Sequence, residues 1–170
     1  MLTSDQRHVT IERAVRFLGI GRNAIEQLKT DKDGRVSPAV LDSALSENSK
    51  PAILVLNAAD LNIGACDPFK DLIPMAHSAG AWVHIDGAFG LFARASRTYR
   101  HLLDGVEMAD SWATDGHKWL NVPFDCGIAI IVDRNAHRTA MTSNASYVAP
   151  VTVARDQIDW NPEYLSLIHI

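Results

Sequence analysis

Apolar residues recur along the chain at two spacings, which predict helices and strands in alternation. Spacings of three and four residues, often opened by a capping side chain or a proline, predict helices. The predicted helices cover residues 8–18, 37–47, 67–79, 97–103 and 134–141. Short apolar runs between them predict strands. The predicted strands cover residues 23–28, 52–56, 82–86, 110–113 and 127–132.

Strands that alternate with helices indicate an α/β fold, with a mostly parallel sheet flanked by helices on both faces. The runs at 52–56 and 127–132 are apolar throughout, as expected of strands covered on both faces. Ligands bind to such sheets outside the carboxyl ends of the strands. Asp86, the loop 57–66 and Lys118, which follows a strand and a predicted turn at 114–116, all fall at those ends.

Lys118 is the first candidate for chemistry, because it lies between His117 and Trp119. An amine held between an imidazole and an indole is partly desolvated, which lowers its pKa. The neutral amine is the form that attacks a carbonyl carbon. A lysine whose stem covers Trp119 while its amine stays in water is the ordinary alternative.

Asp86 is the second candidate, because a carboxylate at a strand tip is costly to bury unless it has a partner. A protonated pyridine nitrogen would be such a partner and would make the ring an electron sink. His8 could offer an imidazole for stacking, and the small Gly87 and Ala88 would let a flat ring approach the backbone. A turn cap at Asp86 and a solvated helix start at His8 are the structural alternatives, and His84 is interpreted as an ordinary sheet histidine.

Composition narrows the class of protein. The chain has 170 residues and a net charge of −4, which suits one domain and indicates neither a nucleic-acid nor a membrane partner. No apolar run approaches the ~20 residues of a membrane span, and the first residues do not form a signal peptide. Cys66 and Cys126 make neither a disulfide framework nor a metal site. We therefore expect a cytoplasmic protein without a metal.

Several segments resemble the group II pyridoxal-phosphate-dependent decarboxylases, which include aromatic-amino-acid, glutamate and histidine decarboxylases. They are SDQRH at 4–8, VHIDGA at 83–88, DSW at 110–112 and HKWLNVPFDC at 117–126, in the order of the family. The resemblance is strongest to bacterial members and extends from about residue 4 to 164. It implies the large domain of the aspartate-aminotransferase fold, fold type I, with pyridoxal 5'-phosphate as cofactor.

The resemblance also implies a role for each matching residue. Lys118 would form the internal aldimine with the cofactor, and Asp86 would pair with the pyridine nitrogen. His8 would stack on the ring and help in proton transfer, while Ala88 would pack on its other face. His117 would lie near the phosphate. Lys118, His8 and Asp86 form the predicted catalytic set, and no metal is expected.

Two departures from the family accompany the likeness. Arg7 stands where a small residue is common. The loop ADLNIG at 59–64 resembles the family pattern Ala-Gly-(Asn/Asp)-Val-Asn-(Thr/Ser)-Gly, with Asp60 in place of the glycine and Ile63 in place of the hydroxyl residue. We expect Asp60 to bring an unfavourable negative charge close to the ligand.

The family's members are much longer than this chain. Residues 1–164 are therefore expected to be part of a cofactor-binding large domain, without the phosphate-binding turn and the small domain. Residues 165–170, LSLIHI, resemble a translated sequencing adapter, with a short native apolar tail as the alternative.

The resemblance further implies a homodimeric parent whose small-molecule substrate is an amino acid. The fragment alone is expected to be inactive. Because His8 can donate a proton as well as stack, decarboxylation of an aromatic or bulky amino acid is favoured. An aminotransferase, another pyridoxal-phosphate lyase and an inactive relative remain alternatives.

Overall fold

The structure is a computed structural model that describes residues 1–47 and 51–141. The chain divides into two units, residues 1–130 and 131–170. The predicted tail at 165–170 and the predicted domain end at 164 lie outside the described residues. In the part of the chain that is described, no helix is long and apolar enough to cross a membrane.

A six-stranded sheet organises the first unit. In chain order the strands are β1 Leu2–Ser4, β2 Glu26–Leu28, β3 Ile53–Asn57, β4 Trp82–Asp86, β5 Ser111–Asp115 and β6 Gly127–Ile131. Their order across the sheet is β2-β1-β3-β4-β5-β6. The pairings of β1 with β2 and β3, of β3 with β4 and of β4 with β5 are parallel. The predicted α/β fold with a mostly parallel sheet is thereby confirmed.

Helices connect the strands, as parallel pairing requires. They are α1 Val9–Phe17, α2 Pro38–Glu47, α3 Phe69–Ser78 and the single turn α4 Gly116–Trp119. Short 3-10 turns occupy Arg22–Ala24, Leu91–Ala95, Arg100–Leu103 and Val106–Met108. In the second unit, the described residues form α5 Arg134–Met141.

The hydrophobic core lies on one face of the sheet, against α2 and α3. Alternate strand residues point to this face, and Leu54, Leu56 and Ile85 are fully buried there. Leu41 of α2 and Phe69 of α3 pack in the same cluster. Burial of each such side chain contributes about 1.5–3 kcal/mol, so this face anchors the strands.

The opposite face carries polar residues toward the carboxyl ends of the strands. Val55 of β3, His84 of β4 and Ser111 of β5 lie in register, and Asn57, Asp86 and Ala113 form the next row. Residues in register on parallel strands point to the same side of the sheet. The sheet therefore holds these side chains side by side on one surface.

Several predicted elements differ from the structure. The strand β1 is only three residues long, too short for a pattern, and was not predicted. The predicted strand 23–28 begins instead with a 3-10 turn, and the predicted helix 97–103 is a single 3-10 turn, Arg100–Leu103. The predicted turn 114–116 is wrong, because β5 continues to Asp115 and α4 follows it directly. The strand predicted at 127–132 is not covered, because it ends the strand order and its first four residues are exposed.

Candidate active site

A cleft of about 300 Å³ opens at the carboxyl ends of β3, β4 and β5. Its wall is made by residues from these strand ends, from the start of α1 and from the loops that follow the strands. They are Gln6, His8, Thr10, Ile11, Asn57, Ala59, Asp60, Leu61, His84, Asp86, Ala88, Phe89, Ala113, Asp115 and Lys118. The structure thus brings together four of the predicted site residues, Lys118, Asp86, His8 and Ala88.

Asp86 is half-buried at the tip of β4, between Asn57 and Ala113 of the neighbouring strands. Its Oδ1 accepts a hydrogen bond from the backbone N–H of Ala88 at 3.2 Å. One oxygen of the Asp86 carboxylate therefore caps the following turn, as the structural alternative for this residue predicted. Within the described residues no hydrogen bond reaches Oδ2, so this second oxygen is free to meet a ligand.

Gly87 lets the chain turn tightly after Asp86. A Cβ at this position would lie 2.7 Å from Cβ of Leu91 and 3.0 Å from the carbonyl oxygen of Ala113. Thr114 supports the same turn, since its buried hydroxyl donates to the carbonyl of Gly87 at 3.0 Å. The backbone directly after the carboxylate is therefore fixed, and the first two residues there, Gly87 and Ala88, are small.

Lys118 reaches the cleft from α4. Its Nζ lies 2.9 Å from Oδ2 of Asp115 and 4.1 Å from the centroid of the Phe89 ring. The side chain is 29% exposed, whereas Trp119 is 54% exposed. The structure therefore gives the amine different partners from those suggested by its neighbours in sequence. A carboxylate orients the amine, and the face of an aromatic ring attracts its charged form.

His8 is the N-cap of α1, and its ring borders the cleft. Its Nδ1 lies 2.8 Å from the hydroxyl of Thr10 and accepts the backbone N–H of Thr10 at 3.4 Å. Since Nδ1 is an acceptor, the proton of the neutral ring is on Nε2. His8 thus both caps the start of α1 and lines the cleft.

His117 lies next to Lys118 but is not among the residues that line the cleft. Its Nδ1 accepts the backbone N–H of Cys126 at 3.0 Å. Its ring meets that of Phe124 edge to face, with centroids 4.7 Å apart. Its Nε2 lies 3.7 Å from Oδ2 of Asp115, the carboxylate that also pairs with Lys118. The phosphate role of His117 stays a prediction.

The conformation of the loop after β3 accounts for the difference between residues 59–64 and the family pattern. Ala59 has a φ of +67°, a conformation that favours glycine, so the glycine of the family pattern suits Ala59 rather than Asp60. Asp60 is 6% exposed, and its carboxylate accepts the backbone N–H groups of Asn62, Ile63 and Ala65 at 2.8, 3.2 and 2.7 Å. The charge of Asp60 is thus held by the loop, although the residue also borders the cleft.

Sequence reasoning missed several residues of the cleft wall. Asp115 was assigned to a turn, Phe89 was not considered, and His84 was interpreted as structural. Burial lowers the pKa of His84, and the nearby charge of Asp86 opposes this effect. The two-residue spacing of His84 and Asp86 already places both on one face of the strand, and the structure shows that this face borders the cleft. Within residues 1–47 and 51–141 no cluster of side chains suits a metal ion.

Residues 1–163 match the family described as the pyridoxal-dependent decarboxylase conserved domain. The chain belongs to this family. The predicted resemblance and the predicted cofactor class are confirmed at the level of the family.

Similar proteins support this assignment. The chain is 36% identical over 137 residues to aspartate 1-decarboxylase of Aliivibrio fischeri, covering 78% of this chain and 25% of that protein. It is 33% identical over 153 residues to cysteine sulfinic acid decarboxylase of Rattus norvegicus, covering 87% and 31%. Its fold matches the crystal structure of Oryza sativa TDC with PLP and tryptamine at a TM-score of 0.81 and 28% identity, covering 87% and 31%. The chain thus spans a quarter to a third of these proteins.

Proposed function

We propose that the chain is part of a pyridoxal-phosphate-dependent amino-acid decarboxylase, a carboxy-lyase. The observation that carries the proposal is that an amine, a carboxylate and an imidazole, from Lys118, Asp86 and His8, border one cleft at the carboxyl ends of parallel strands. The family match supports the same reaction class.

The residues of the cleft fit pyridoxal phosphate. A volume of about 300 Å³ is within the usual range for small-molecule sites. Oδ2 of Asp86 lacks a hydrogen-bond partner in the described part of the chain and suits a protonated ring nitrogen. Lys118 would hold the cofactor covalently through its amine. His8 and Ala88 would flank the ring, and His117 would lie near the phosphate.

Bound pyridoxal phosphate supplies an electron-accepting ring, which stabilises the negative charge left on the substrate carbon when carbon dioxide departs. The ionised Asp86 would keep the ring nitrogen protonated. Asp115 would orient the amine of Lys118, which it contacts at 2.9 Å. The protonated form of His8, whose Nδ1 lies 2.8 Å from the hydroxyl of Thr10, would deliver the proton on Nε2 to the substrate carbon and return to the neutral ring.

The proton-holding imidazole is what favours decarboxylation over transamination in this proposal. A decarboxylase must return a proton to the carbon that lost its carboxylate, and His8 borders the cleft with its Nδ1 already engaged. The names of the relatives include both an acidic and a sulfinic substrate, so an aromatic or bulky substrate is one class among those to be tested.

The test uses the full-length protein with pyridoxal phosphate and a panel of acidic, aromatic and aliphatic amino acids. We expect stoichiometric release of amine and carbon dioxide from at least one of them, and no release by Lys118→Ala. Formation of a keto acid together with pyridoxamine phosphate would favour the aminotransferase alternative. An unaltered protein without cofactor absorbance would favour an inactive relative.

We also propose, from the resemblance, that the full-length protein is a homodimer in the cytoplasm. Residues 1–164 would then be part of its large domain, and residues 165–170 would not be native. Light scattering during gel filtration tests the dimer, and the flanking nucleotide sequence tests the tail.

A further inference from the structure

A hydrogen-bonded group of three side chains lies on the cleft side of the sheet, one row below Asp86. The indole Nε1–H of Trp82 donates to Oγ of Ser111 at 2.9 Å. Nδ1 of His84 lies 2.8 Å from the same oxygen. Ser111 is 7% exposed, so its hydroxyl proton needs a partner within the protein.

This arrangement determines which nitrogen of His84 carries the proton. An indole N–H can only donate, so Oγ of Ser111 is the acceptor in its bond with Trp82. If Nδ1 of His84 also donated to that oxygen, the buried hydroxyl proton of Ser111 would have no acceptor. If the hydroxyl donates to Nδ1, the indole N–H, the hydroxyl and Nδ1 all have partners. His84 is therefore the tautomer that carries its proton on Nε2.

The Nε2–H group of His84 is left without a protein partner among the described residues, and His84 borders the cleft. His84 and Asp86 alternate on β4, so their Cα atoms are about 6.6 Å apart and their side chains point to the same face. Burial lowers the pKa of His84, which favours the neutral ring, and the charge of Asp86 opposes this effect. His84 thus brings an N–H group to the same cleft as a carboxylate that has one free oxygen, and the charge of that carboxylate acts on its ring.

We propose that His84 is a positioning residue for Asp86. Ser111 fixes the Nε2–H tautomer, and this N–H group stabilises the ionised carboxylate across the floor of the cleft, directly or through one water. The ionised carboxylate would then hold the protonated ring nitrogen of the cofactor more tightly. The inference rests on the proposed function, because it concerns the site of the same cofactor.

The test compares two amides that imitate different nitrogens of the ring. His84→Gln places its amide near Nε2, whereas His84→Asn places it near Nδ1. The dissociation constant of pyridoxal phosphate, measured from cofactor absorbance on the full-length protein, is the readout. We expect about tenfold weaker binding for His84→Asn and a change within about threefold for His84→Gln, since a hydrogen bond to a charged group is at stake.

Two further variants complete the design. Ser111→Ala releases the tautomer and should weaken cofactor binding by about three- to tenfold. His101→Asn is the matched control, because His101 is exposed and its Nδ1 bonds within its own turn, to the carbonyl of Thr98. It should leave the dissociation constant unchanged. Melting temperatures show whether any loss of binding only follows a loss of fold.

If His84 acted only through the contact of its Nδ1 with Ser111, the order of the two variants would be reversed. His84→Asn would then retain cofactor binding, and His84→Gln would lose it. That order, or equal dissociation constants for both variants, would overturn the inference while cofactor binding by the unaltered protein still supported the proposed function. Failure of the unaltered protein to bind the cofactor would overturn the proposed function and this inference together.

Discussion

Asp67 fastens the end of β3 to the chain before α2, and its burial makes stability depend on pH. Its Oδ1 accepts the backbone N–H of Val36 at 2.9 Å, and its Oδ2 accepts that of Asn57 at 2.7 Å. Asn57 lines the cleft, so this carboxylate also supports the site. Burial, the largest cause, raises the pKa of Asp67 to about 6, and the two backbone hydrogen bonds oppose the rise.

The raised pKa of Asp67 determines whether stability rises or falls with pH. A carboxyl whose pKa is higher in the folded chain binds its proton more tightly there than in the unfolded chain. Its contribution to stability is complete below the ordinary pKa of 3.8 and is lost as the pH rises through about 6. The difference between these two values corresponds to about 3 kcal/mol.

Replacing Asp67 by Asn removes this pH dependence but places an amide N–H₂ against one of the two backbone N–H groups. The lost hydrogen bond costs about 1–3 kcal/mol at low pH. As the pH rises from 4 to 7, the unaltered chain loses stability and the variant does not. We therefore expect the free-energy difference in favour of the unaltered chain to fall by about 2.4 kcal/mol between pH 4 and 7, and so to vanish or reverse.

Urea denaturation of both chains at several pH values between 4 and 7 measures this difference. Asp71→Asn is the control, because Asp71 is exposed on α3, which begins two residues after Asp67, and its substitution should give a free-energy difference that does not change with pH. A free-energy difference that is constant between pH 4 and 7, or that grows in favour of the unaltered chain, would refute the reasoning about Asp67.

Three further predictions concern the cleft and its loops. Asp86→Asn keeps the shape of the side chain but removes its charge, so turnover of the full-length enzyme should fall by at least about a hundredfold while cofactor binding weakens only moderately; turnover close to normal would remove Asp86 from the mechanism. Ala59→Gly should stabilise the chain by about 0.5–1 kcal/mol in urea denaturation, because relief of the left-handed conformation exceeds the added unfolded-state entropy; a net loss would contradict it. Gly90→Ala should cost about 1–3 kcal/mol by the same measurement, since its Cβ would lie 2.5 Å from the carbonyl oxygen of Ala58; an unchanged midpoint would argue against so close a contact.

The sequence predicted the parallel sheet because its strands and helices alternate with clear spacing. It also predicted that Asp86 and Lys118 lie at strand ends, and both border the cleft. It did not predict β1, since a three-residue strand leaves no periodic signal.

The partners of the candidate side chains were harder to predict than their positions. The amine of Lys118 contacts Asp115, three residues earlier, and the ring of Phe89, which is distant in sequence. The environment of His84 depends on Ser111, a residue of the next strand. Such partners follow from strand register, which short-range patterns do not specify.

Lys118 is proposed to hold pyridoxal phosphate, and reductive trapping tests this role most directly. The full-length protein is mixed with an equal amount of the cofactor, reduced with borohydride, digested and analysed by mass spectrometry. We predict a phosphopyridoxyl label on the peptide that contains Lys118, and none in Lys118→Ala. A label on another lysine of the unaltered protein, or a label that persists in Lys118→Ala, would contradict the account.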